Sequence, residues 1–218
     1  MTALVRYSFA TLLHSQRYLA PVLLFAGLIG ILTVNGSGAL PPSYAASAGA
    51  LFVCQTWLTS VLAGLDDPTQ RAVVTTAAGR GARVLAGTVC TALLASGALA
   101  VAGLLFPLWI GSYDVGSADL LLGAEAQLVC ALAGTAIGLP CSRLLFRRQG
   151  YALATALALV LALLFVQGLP PVNRLFHLMS QAPDSAALLA PAAGMAAVAA
   201  ALLATSARLT QYLVGRRD

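Results

Sequence analysis

The chain has 218 residues, 60% hydrophobic and only 9% charged, with a mean hydropathy of +0.89. Soluble domains carry about a quarter charged residues, and one core of this size cannot hide so much apolar surface, so the bilayer must be the solvent for much of it. The net charge of +5 comes from twelve arginines and no lysine, which excludes P-loop ATP hydrolysis and lysine Schiff-base chemistry in this chain.

Residues 2–17 are too polar to cross a membrane but keep helical order. At about 100° per residue, Arg6, Ala10, His14 and Arg17 share one face with Tyr7 beside them. Val5, Phe9 and Leu12 fall opposite, with Leu13 and Gln16 at the edges. The pattern predicts an interfacial helix with its basic side toward lipid phosphates.

A span needs about 20 apolar residues at a rise of ~1.5 Å each. Six stretches qualify: 18–40, 44–65, 84–110, 120–142, 150–169 and 185–207. Gly36, Ser37 and Gly38, then Pro41-Pro42, mark the break between the first two. Ala46-Ser47-Ala48 has the small residues of a processing site, but the run before it is too long and proline-broken for a cleaved leader. The expected fold is all-α: one polytopic membrane domain over 1–218 with six transmembrane helices.

Between the second and third spans lies DDPTQRAVVTTAAGRGAR. Asp67 can cap a helix starting at Pro68, and Gln70 sits at the capping-box position, behind Asp66 and before Arg71. The helix would present Val73, Val74, Ala77 and Ala78 and stop at Gly79. Arg80 and Arg83 would then lie at its negative end. This makes the segment a candidate docking element for a partner.

In the fourth span, Gly134 and Gly138 form a GxxxG, and Glu125 is the only acidic residue within any span. Cys54, Cys90, Cys130 and Cys141 lie in or at the ends of apolar runs without CxxC spacing, and read as packing residues. The 170–185 connection is more apolar than a solvated loop. Leu175, Phe176, Leu178 and Met179 suit a short helix buried in the outer leaflet, with Arg174 and His177 near the headgroups. Glu125, Arg174 and His177 are the candidate pathway residues.

Eleven arginines fall in alternate connections and at the two ends, against Arg174 alone on the other side. By the positive-inside rule both termini are cytoplasmic. Arginines spread through short gaps also argue against nucleic acid, which needs a clustered basic face. His14 and His177 lie on opposite sides, so no triad forms. Asp66-Asp67 is faintly like the metal site of lipid-headgroup transferases, but the further aspartates that such a site needs on its side are missing.

Taken together, an amphipathic N-terminal helix, six spans, a helix in the loop after the second span and an apolar outer loop before the sixth resemble ABC-2-type transporter permeases. The wording DDPTQRAVVTTAAGRGARVLAG is similar to that loop in small actinobacterial members. The resemblance implies a non-catalytic subunit of an exporter in the bacterial plasma membrane. ATP and Mg2+ would be held by a separate nucleotide-binding ATPase. Residues 66–83 would be the coupling helix, 2–17 the elbow helix, and 172–180 a short outer helix. A second permease chain, identical or related, would complete the pathway. The alternatives are a membrane-embedded immunity or assembly protein and a headgroup-transfer enzyme.

Overall fold

The computed structural model describes residues 2–33, 40–65, 68–110, 113, 116–142, 149–166, 168–181 and 185–215, and every regular element among them is a helix. In chain order these are α1 (Thr2–Ser15), α2 (Leu19–Thr33), α3 (Leu40–Ala63), α4 (Pro68–Ala78), α5 (Gly81–Ile110), α6 (Ser117–Gly138), α7 (Gln149–Phe165), α8 (Val172–Gln181) and α9 (Ser185–Gly215).

Four of them, α3, α5, α6 and α9, are long and apolar enough to cross a membrane. The pair α1–α2 makes a fifth if its two helices, bent by 78°, are one broken span. The stretch expected as the fifth span holds α7, whose 17 residues reach about 25 Å against a hydrocarbon core of ~30 Å. Pro41 and Pro42, taken from the sequence as part of a break, occupy the first turn of α3 instead. A missing N–H costs nothing there. The last helix continues beyond 207 to Gly215, because Arg208, Leu209, Gln211 and Leu213 are good helix formers with no glycine or proline among them.

The centre is the pair α3 and α6, with 61% and 67% of their apolar stretches buried against 28% for α5 and α9. They run parallel in one register. A Cβ on Gly123 would meet the Tyr44 ring at 2.6 Å, one on Gly134 would meet Gln55 Cβ at 3.0 Å, and one on Gly138 would meet Thr59 Cβ at 2.6 Å. Each pair is 79 positions apart, so small residues on one face of α6 let the two backbones close. The GxxxG of the sequence is two-thirds of this seam.

Helix α9 runs parallel to α6, joined by Ser185 Oγ donating to Asp119 Oδ1 at one end and Ser206 Oγ to Ala136 O at the other. Helix α5 runs opposite, with Ala92 beside Gln55 and Gly103 beside Gln127. Leu23, Ile31, Leu105, Leu128, Leu153 and Phe165 are exposed on the outside of this bundle, as a lipid-facing surface requires. Trp109 near one end of α5 and Tyr151 and Tyr212 near the other end of the bundle are exposed aromatics, the residue types that anchor at headgroup level.

Candidate functional site

Helices α2 and α7 flank α3 without closing over it. Each buries one narrow stripe: Pro21, Phe25, Ile29 and Thr33 on α2, and Ala152, Ala156 and Val160 on α7. Between them Pro42, Ala46, Gly49, Val53, Trp57, Ser60 and Gly64 line two cavities. Their spacing of three and four is one face of the helix. The cavity nearer α8 is about 560 Å³ and open, lined also by Leu28 and Leu32 of α2, Leu164 of α7 and Phe176 and His177 of α8. The other, nearer Arg17, is about 200 Å³ and more polar, with Arg17, Cys141 and Ser142 in its wall.

Helix α8 borders the larger cavity. Val172, Leu175 and Met179 are buried, packed into the bundle core beside α3, α6 and α9. Leu175 and Met179, expected in the outer leaflet, are covered by protein instead, because buried apolar residues of α3, α6 and α9 pack around them. The Phe176 ring lies 3.4 Å from where a Gly49 Cβ would stand. Asn173 fixes the α7–α8 turn, donating to Leu164 O at 2.6 Å and accepting from Gly168 N–H at 3.0 Å.

The three candidate pathway residues lie on two helices, Glu125 on α6 and Arg174 and His177 on α8. His177 lines the larger cavity, its Nε2 3.2 Å from Gln181 Nε2. Arg174 is exposed on α8 and Glu125 is half-buried on α6, and neither is in the wall of these two cavities. Glu125 Oε2 is inaccessible and has no hydrogen-bond partner.

At the arginine-rich end, α4 fills the stretch expected as a capped helix. Gly79 ends it at φ +74°, a left-handed conformation that costs glycine nothing. Arg83 Nη1 donates to Ala78 O at 3.2 Å, capping the helix with charge of the favourable sign. Thr69, Ala72, Val73, Thr76 and Ala77 form an exposed stripe, and Val73 alone is 67% exposed. Arg80 is exposed beside it, while Val74 is half-buried. Asp66, Asp67 and the side chains of Pro68 and Arg71 lie outside the described residues.

Helix α4 is tied to α1. Gln70 Nε2 donates to the Tyr7 hydroxyl at 2.8 Å, so Tyr7 faces α4. Helix α1 divides into three sectors rather than two. Leu4, Ser8, Thr11, Leu12 and Ser15 turn toward the bundle, with Leu4 Cβ 3.3 Å from a Cβ built on Gly87 of α5. Phe9 and Leu13 are exposed apolar residues, and Arg6, Ala10 and His14 form the exposed basic sector; Arg17 follows in the turn to α2. The predicted apolar face therefore splits, because Leu12 packs on protein while Phe9 does not.

Two of the most buried polar side chains are glutamines outside the candidate residues named from the sequence. Gln55 is fully buried on α3, and its Nε2 donates to Ala92 O at 3.1 Å and Thr135 Oγ1 at 2.9 Å. Gln127 on α6 donates to Ser47 Oγ at 2.9 Å. Both Oε1 atoms lack partners. Two glutamines in mid-span were the available signal, since polar side chains at membrane depth mark helix contacts or function.

Among the described residues no three His, Cys, Asp or Glu side chains converge to hold a metal. Cys54, Cys130 and Cys141 are buried free thiols, and Cys90 is exposed. No protein-family model, curated protein or solved structure matches this chain.

Proposed function

We propose that this chain is the membrane-spanning permease subunit of an ATP-driven ABC-type exporter in a bacterial plasma membrane, crossing six times with both termini cytoplasmic. In this reading α1 is the elbow helix and α2, α3, α5, α6, α7 and α9 are the spans. The short α7 is completed at the outer side by α8. The subunit is non-catalytic, and a separate ATPase binds ATP and Mg2+.

The observation that carries the reading is the unpartnered stripe of α4, at the end of the bundle where the arginines cluster. A connection that could have been a tight turn instead holds an eleven-residue helix, with Val73 facing outward and its far side tied to α1 and α5. Such a helix suits a groove on a soluble partner. Closure of that partner on ATP would push α4, and through the Tyr7 and Leu4 contacts α1 and α5, between two packings of the bundle. A second permease chain, identical or related, faces the first across the open side of α3, so that the α2–α3–α7 cleft borders the route.

A mild-detergent pull-down of the tagged chain tests this. A stoichiometric P-loop ATPase is expected, lost on Val73→Asp or on deletion of residues 72–78 while membrane insertion persists. Unchanged recovery of the ATPase with both variants would remove the docking role. A preparation without any ATPase would remove the permease reading.

A further inference from the structure

A second groove lies on the lipid side of the bundle, away from the α3 cleft. Helices α5 and α9 diverge over α6 and leave a space of about 400 Å³. Ala82, Ala86 and Cys90 of α5 and Ala200, Ala204 and Ala207 of α9 wall it, and Leu132 of α6 forms part of its floor. Only its arginine-rich end is polar, where Arg208 and Gln211 close it. From Ala200 to Gln211 the helix rise gives a length of about 16 Å, close to the ~15 Å of one hydrocarbon leaflet. At ~30 Å³ for a water-sized group, the volume holds a dozen or so methylenes.

We propose that this groove seats one acyl chain of an anionic phospholipid of the cytoplasmic leaflet, with its phosphate on Arg208. Arg208 is exposed and makes no ion pair with a carboxylate among the described residues. It stands where a chain lying in the groove places its headgroup. A guanidinium binds phosphate through paired N–H donors, and Gln211 one turn on adds another donor. A second copy of this chain fits less well. A two-fold contact through the groove would bring residues of equal depth together, setting Arg208 against its own copy. The inference needs only that the arginine-rich end is cytoplasmic, not the permease reading.

The test is native mass spectrometry of the delipidated full chain with dioleoyl-phosphatidylglycerol or dioleoyl-phosphatidylcholine. One basic residue at an anionic surface contributes ~1 kcal/mol, so a preference of about fivefold for phosphatidylglycerol is expected. Arg208→Gln should abolish that preference and Arg208→Lys should keep most of it. Ala204→Leu, which fills the groove, should lower retention of both lipids. Equal retention of both lipids by the wild-type chain, or an undiminished preference in Arg208→Gln, would overturn the proposal. So would a Cys90–Cys90 cross-link formed efficiently in native membranes, which would put a second copy of the chain in the groove.

Discussion

Replacing Gly138 by alanine is the sharpest probe of the α3–α6 seam. The new Cβ would stand 2.6 Å from Thr59 Cβ and 2.7 Å from the Thr56 carbonyl oxygen. Both lie well inside ordinary contact distance, and neither is the end of a flexible side chain. The clash can be relieved only by moving one helix off the other. Overpacking of this kind costs typically 1–3 kcal/mol. The upper half of that range is expected here, because a shift also pulls Gln55 from Thr135, 2.9 Å away, in a medium where close packing drives helix association. A loss of ~2 kcal/mol is about a 30-fold change in the unfolding equilibrium. The assay is reversible unfolding in mixed micelles followed by tryptophan fluorescence, since Trp57 lies on α3. Gly97→Ala on α5 is the control, with nothing within 4 Å of its Cβ, and should stay within about 0.5 kcal/mol of the parent. If Gly138→Ala unfolds like Gly97→Ala, the two helices are not in this register and the description of the centre fails.

Three further outcomes follow from the same contacts, each read by the same unfolding assay unless stated. Gln55→Leu should be nearly neutral, within about 1 kcal/mol, because it removes an amide whose Oε1 is buried without a partner. Gln55→Ala leaves a cavity and should cost about 2–4 kcal/mol; equal effects of the two would mean that the amide itself holds the helices. Tyr7→Phe removes the exposed bond to Gln70, so global stability should change by less than about 1 kcal/mol while hydrogen exchange in α4 accelerates. An α4 that exchanges no faster would show that Tyr7 does not restrain it. Asp119→Ala takes an acceptor from both Gly116 N–H and Ser185 Oγ; a loss of about 1–2 kcal/mol is expected, with faster exchange at the start of α9. No change at α9 would mean that the Ser185 contact does not hold it.

The membrane class, the helical content and the arginine-rich end were legible in the sequence because they rest on local composition. Apolar runs, proline positions and the glycine after Ala78 act within a few residues, so α4 and α8 could be placed from the chain alone. Span lengths were less legible. Hydropathy cannot say whether an apolar stretch is one straight helix: four helices are long and apolar enough to cross, whereas a pair bent by 78° and the short α7 account for the other two expected spans only under the proposed reading. Pro41 and Pro42 carry the same letters whether they end one helix or start the next.

Function-bearing geometry depended on partners distant in the chain. Gly123, Gly134 and Gly138 are ordinary small residues until α3 lies against them, 79 positions away. Gln55 and Gln127 draw notice only when neighbouring backbones bury them. Glu125, Arg174 and His177 stand out as polar letters, but only His177 is in the wall of the cleft along α3. The cleft along α3 and the groove ending at Arg208 belong to no segment, because each is the space that helices leave where they diverge. Local periodicity determined which residues form helices and which end meets the arginines; only the packing of those helices decided which faces close and which remain open.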